Sequence, residues 1–143
     1  MKIMENLESS LDFDKQKTKV FKYITYKKRT EQEVRKKFKG QIEDEMLDEI
    51  IEYLKEAKYL DDYDFIERQV REYMNLKTLS IKEIKYKLMT KGLDRKLIEQ
   101  YIYKNYEELN EYEKRCAEKI KQKKLGSSEE EIKQYLYRKG YKI

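Results

Sequence analysis

The segment SIKEIKYKLMTKG at residues 80–92 returns as SEEEIKQYLYRKG at residues 128–140. Ser80, Glu83, Ile84, Leu88, Lys91 and Gly92 recur as Ser128, Glu131, Ile132, Leu136, Lys139 and Gly140, at a constant offset of 48 residues. A more divergent copy, TEQEVRKKFKGQI at residues 30–42, keeps Thr30, Glu33, Val34 and Phe38, displaced by 50 from the second copy. There Ile42 takes the glycine position and Gly40 lies two residues early. Self-similarity at a period of this length marks supersecondary units that stack on one another.

Each copy specifies both ends of a short helix. Thr30, Ser80 or Ser128 is placed to accept a hydrogen bond from an orphan backbone N–H, and the Glu three residues on is placed to reach back to the cap, so a capping box is expected in all three. Two apolar residues at i and i+4 follow on one face. In the second and third copies a Lys and a Gly come next; the Gly suits the left-handed position that ends a helix, and the Lys complements the dipole.

Longer helices are expected on either side. Val20, Phe21 and Ile24 form a stripe before the first short helix, and Leu47, Ile50, Ile51 and Leu54 form one after it. Phe65, Ile66, Val70, Tyr73 and Met74 precede the second. Leu97, Ile98, Tyr101 and Ile102 follow it, with Asp94 as the N-cap. Leu109, Tyr112, Cys116 and Ile120 precede the third copy, after which the sequence holds no third helix for that unit. The expected organisation is an acidic, flexible segment at 1–14, three-helix repeats at 15–61 and 62–107, and a partial repeat at 108–143. Units this small bury little surface alone, so neighbours are expected to pack into an elongated or curved all-α body, with one compact bundle as the alternative.

Composition agrees. The 143 residues include no Pro, no Trp and four Gly, which favours helix throughout. Charged residues make up 44% of the chain and the mean hydropathy is −1.10, near the border of disorder, but the apolar residues are periodic rather than scattered. His is absent, which excludes imidazole catalysis and His-ligated metal. Cys116 is the single cysteine, so no intrachain disulfide forms, and with no signal-peptide core or membrane-spanning run the expectation is a cytoplasmic protein.

Charge is segregated along the chain. Residues 17–39 carry ten basic and two acidic side chains, residues 40–67 carry two basic and eleven acidic ones, and residues 114–143 return to a net of +6. Such a molecule presents faces of both signs, suited to a phosphate backbone or to a partner of mixed charge.

Tyr59, Leu60, Asp61, Asp62 and Phe65 form a Leu-Asp-Asp signature leading into a helix that Arg68 and Val70 continue. Ser80, Ile84, Leu88, Lys91, Gly92 and Leu93 follow in order, and Arg29, Thr30, Glu33, Val34 and Phe38 make an earlier, related segment. In this order the chain resembles the RecX family of recombinase regulators over nearly its whole length. It departs at Ile66, where the family usually has Ala, and at residues 75–79, which lack the usual glycine and arginine. The resemblance implies tandem three-helix repeats, binding to RecA-type recombinase filaments along their groove, and inhibition of strand exchange and ATP hydrolysis in recombination and DNA repair. It implies no enzyme activity and no cofactor.

The candidate contact residues are basic. Lys27, Lys28, Arg29, Arg35, Lys36, Lys37 and Lys39 surround the first short helix, and Lys82, Lys85, Lys87 and Lys91 decorate the second. They suit a filament surface or phosphate; the competing reading is a solvated face in a Lys-rich chain. Asp61–Asp62 is read as a helix cap and first-turn charge rather than a metal site. Tyr23, Tyr26, Tyr86, Tyr101, Tyr103, Tyr106, Tyr135 and Tyr137 are read as core-edge rings in preference to base-stacking platforms. Cys116 is read as a small core residue. No metal, phosphate-loop or nucleophile motif is present. The expected state is a monomer that binds a recombinase filament, with single- or double-stranded DNA as a further partner and no membrane contact. The rivals are a basic helical DNA-binding module and a helical adaptor for another protein.

Overall fold

Caps, glycines and apolar spacing place the helix ends close to where the chain's own chemistry puts them. The computed structural model describes residues 2–76 and 78–142, with side chains from residue 10 onward. Among these residues there are eight helices: α1 Lys2–Tyr26, α2 Glu31–Phe38, α3 Asp44–Glu56, α4 Asp62–Leu76, α5 Ile81–Thr90, α6 Arg95–Lys104, α7 Tyr106–Lys123 and α8 Glu129–Lys139. The fold is all-α; a lone parallel bridge between Lys39 and Ile42 is the one extended pairing among the described residues. A long helix followed by two shorter ones occurs at α1–α3 and α4–α6, and a long helix followed by a shorter one comes again at α7–α8. The acidic start lies within α1, whose backbone is helical from Lys2.

Thr30 and Ser80 each make the full capping box, accepting the N–H of Glu33 or Glu83 while that glutamate accepts the cap residue's own N–H. Ser128 accepts the Glu131 N–H, but the return bond is not made. Burial explains the difference. Thr30 and Ser80 are fully buried and their amides have no access to water, whereas Ser128 is exposed and water serves its amide. Gly92 and Gly140 end α5 and α8 with positive φ, as their positions anticipate. In the first copy the turn is made by Gly40, and Ile42 goes into the core.

The chain divides into two compact units, Met1–Phe65 and Ile66–Ile143, with the boundary inside α4. In the first, Val20 and Ile24 from α1, Val34 and Phe38 from α2, and Leu47, Ile50, Ile51 and Leu54 from α3 share one core that Ile42 and Leu60 close. Phe21 departs from the expected stripe: it is 37% exposed and meets Tyr59 edge-on, ring centroids 5.0 Å apart. It follows Val20 by about 100° around the helix, which turns it off the core face. In the second unit, Ile66, Val70 and Tyr73 of α4, Ile84 and Leu88 of α5, Ile98 and Tyr101 of α6, Leu109, Tyr112, Cys116 and Ile120 of α7, and Leu136 of α8 are buried. This unit holds the expected third repeat and the expected second repeat from Ile66 onward, residues 62–65 falling in the first unit.

Long-range hydrogen bonds tie the end of α8 to the start of α5. The Ser80 hydroxyl donates to the Lys139 carbonyl at 2.6 Å, and the Tyr141 hydroxyl donates to the Thr78 carbonyl at 2.7 Å. From α7, the Tyr112 hydroxyl accepts the Leu79 N–H at 3.1 Å. Glu113, 4% exposed, accepts the backbone N–H groups of Ile81 and Lys142, and burial pushes its carboxyl above the usual range. No helix among the described residues is long and apolar enough to cross a membrane.

Candidate partner-binding surface

The short helices place the expected basic residues in register. On α2, Val34 and Phe38 face inward, so Arg35 and Lys37 flank the buried stripe and Lys36 points away from it. On α5, Ile84 and Leu88 do the same, which puts Lys85 and Lys87 at the flanking positions and Tyr86 outward.

Several of these cations are committed within their own repeat. Arg35 pairs with Asp48 of α3 at 2.6 Å, and Lys85 pairs with Glu99 of α6 at 2.9 Å. The Asp48 bond, with Glu31 helping, raises the Arg35 pKa. Lys85, followed by Arg95, lowers that of Glu99. Lys37 stands 5.9 Å over the Tyr23 ring and Lys87 stands 6.0 Å over Tyr73, two contacts related by the 50-residue repeat offset. An ion pair to the third helix and a ring contact to the first are therefore repeated features that clamp the short helix.

Lys28 bonds Asp64 at 2.6 Å. Arg29 lies over Tyr23 at 4.3 Å and near Glu33 at 3.6 Å, with its buried Nε unpartnered. Lys91 forms the C-cap of α5. Lys27, Lys36 and Lys39 are exposed, and with Lys82, whose stem packs beside Gly140, they have no ion-pair partner among the described residues. The structure thus separates the expected set into clamping residues and available ones. The available cations of the first unit sit on the loop before α2, on its outer face and just after it.

Asp61 caps α4 by accepting the Asp64 N–H at 3.1 Å. Asp62 does something the sequence does not announce: its Oδ1 accepts the N–H of Glu31, the first residue of α2, at 3.0 Å. Burial is the main cause raising its pKa, against the lowering effect of that bond. No group of three or more potential His, Cys, Asp or Glu ligands gathers among the described residues.

The tyrosines divide as well. Tyr101 is buried and Tyr23 and Tyr135 are half-buried, in keeping with core-edge rings, but Tyr26, Tyr86, Tyr103, Tyr106 and Tyr137 are exposed. Cys116 is buried, and Tyr112 lies in hydrogen-bond contact with its thiol. Lys119 and Lys123, which the sequence does not single out, line a cleft in the second unit with Arg115 and Lys139. Their four-residue spacing on α7 was the available signal.

No family model matches the chain. A protein named "Regulatory protein RecX" from Oceanobacillus iheyensis is 31% identical over 141 residues, covering 94% of this chain and 52% of the relative. One of the same name from Staphylococcus aureus strain N315 is 30% identical over 131 residues, covering 87% and 48%. The chain thus spans about half the length of the curated relatives it matches. The crystal structure of RecX from Lactobacillus salivarius superposes with a TM-score of 0.78 at 28% identity, covering 94% of this chain and 91% of that one. A second crystal structure of a regulatory protein RecX shares the fold, with a TM-score of 0.75 at 22% identity, covering 97% of this chain and 73% of that one.

Proposed function

Because this chain belongs to the RecX family of regulatory proteins, we propose that it binds RecA-type recombinase filaments and lowers their ATP hydrolysis and strand exchange. The observation that carries this reading is the likeness to the Lactobacillus salivarius RecX structure across 91% of that chain. The protein acts by contact rather than catalysis, in the cytoplasm where the filament forms and as a monomer. Repeated helical units offer repeated contacts, and several modest contacts to successive protomers add through effective concentration. Lys27, Lys36, Lys39 and Lys82 have the exposure such contacts require.

The test is ATP hydrolysis by the cognate recombinase on single-stranded DNA while this protein is titrated in. Inhibition below one copy per recombinase protomer is the expected result; no effect at stoichiometric excess of folded protein refutes the reading.

A second reading, direct DNA binding, draws support from the exposed Lys27, Lys36 and Lys39 together with the open ring of Tyr26. Affinity for bare DNA that falls steeply with salt, in the absence of recombinase, distinguishes it.

A further inference from the structure

The second unit holds a cleft of about 520 Å³ that the filament reading leaves unused. It opens beside the end of α4 and the approach to α5, with α7 and the last turn of α8 as its other walls. Tyr112 and Cys116, both almost fully buried, lie on its inner side. Arg115, Lys119 and Lys123 line it from α7 at four-residue intervals, each step rising about 6 Å along the axis. Lys139 adds a fourth cation from α8, and no carboxylate among the described residues lines the cleft.

The rest of α7 shows that this is not ordinary surface charge. Lys114 pairs with Glu111 and Lys121 with Glu118, the usual one-turn compensation. Arg115, Lys119 and Lys123 have no ion-pair partner among the described residues, whereas Lys139 makes a long ion pair with Glu83 at 4.0 Å. Clustered like charges repel and raise the local concentration of anions. Beside them, Leu76 leaves 71% of its surface in water and Met74 is half-buried.

We propose that this cleft binds an acidic segment of a protein partner, carrying at least two carboxylates and one apolar side chain. The carboxylates meet the α7 stripe and Lys139, and the apolar side chain covers Leu76 and Met74. A nucleic-acid strand fits less well. The one ring lining the cleft, Tyr112, is 4% exposed with its hydroxyl held by the Leu79 N–H, so it offers no face for a base, while exposed Leu76 gains nothing from phosphate. This site stands apart from the filament reading and does not depend on it.

The experiment uses the intact chain and three fluorescent probes of equal charge: a peptide alternating Glu and Leu, an all-Glu peptide, and a single-stranded oligothymidylate. The Glu–Leu peptide should bind most tightly by anisotropy. Lys119→Glu with Lys123→Glu should weaken it by roughly ten-fold or more, since each substitution replaces an attraction by a repulsion. Leu76→Ser should narrow its lead over the all-Glu peptide. Cys116, the single thiol, reports occupancy, because the bound peptide should slow its modification by a thiol reagent. Lys119→Gln with Lys123→Gln gives a milder form of the same test, and circular dichroism verifies the fold of each variant. Equal or tighter binding of the oligonucleotide, unchanged peptide affinity in the charge variants, or unaltered Cys116 modification overturns the proposal. None of these measurements includes a recombinase, so their failure leaves the filament reading standing.

Discussion

The hydroxyl of Ser80 donates a 2.6 Å hydrogen bond to the carbonyl of Lys139, fifty-nine residues away, while accepting the N–H of Glu83. One buried oxygen thus caps the start of α5 and satisfies a carbonyl at the end of α8, two sets of groups that a helix leaves orphaned. Ser80→Ala should cost about 2 kcal/mol, about 1 for the cap and about 1 for the buried bond. Ser128→Ala, at an exposed cap, should cost roughly 0.5 kcal/mol. Urea unfolding of the two variants checks this; equal losses would show that the Lys139 bond contributes nothing.

Of the left-handed glycines, Gly140 should be less replaceable than Gly40. Its φ is +90°, and a Cβ there would stand 2.9 Å from the Cβ of Lys82 and 3.2 Å from the Ser80 hydroxyl. Gly40 has φ +80° and open space around it. Gly40→Ala should cost about 1 kcal/mol for the backbone alone, and Gly140→Ala more than about 2 kcal/mol because α8 must also move off α5. Thermal melts of both variants give the comparison, and a smaller loss at Gly140 would contradict the close approach.

Alkali should weaken the second unit through Tyr112 and Tyr141. Burial is the main cause raising both phenols above their ordinary value of 10.0. The native state therefore keeps protons that the unfolded chain gives up, and stability present below pH about 10 is lost as the pH rises past it. Urea midpoints taken between pH 8 and 11 should fall at the upper end. Tyr141→Phe should make that fall shallower, after a pH-independent loss of about 1 kcal/mol for its bond to Thr78. An unchanged slope would remove Tyr141 from the account.

Charge reversal should separate clamping from available cations. Lys36→Glu with Lys39→Glu, both exposed and unpaired among the described residues, should leave melting almost unchanged and weaken inhibition of recombinase ATP hydrolysis several-fold. Lys85→Gln, which breaks the pair with Glu99, should lower the melting temperature only slightly, because exposed pairs contribute little. Inhibition unaffected by the first pair would show that face to be inert.

The helices, their ends and the repeat were legible because they rest on interactions that span three or four residues. A Ser followed by a Glu three residues on, apolar pairs one turn apart and a Gly at a helix end act wherever they occur in a chain. The same locality accounts for what the sequence left undetermined. Arg35 and Lys36 are adjacent and alike in charge, yet Arg35 is held by Asp48 and Lys36 is open to solvent, because packing α3 beside α2 brings a carboxylate to one and not the other. Asp62 reads as first-turn charge of its own helix and nothing local marks Glu113, but folding spends them on the first amides of α2 and α5. Arg115, Lys119 and Lys123 become the wall of a cleft only when the end of α4, the approach to α5 and the last turn of α8 close around α7. Sequence by itself determined which segments after the acidic start are helical and where most of them begin and stop, but not that α1 runs from Lys2; tertiary structure decided which charges are neutralised and which remain for a partner, since that depends on groups brought together from tens of residues apart.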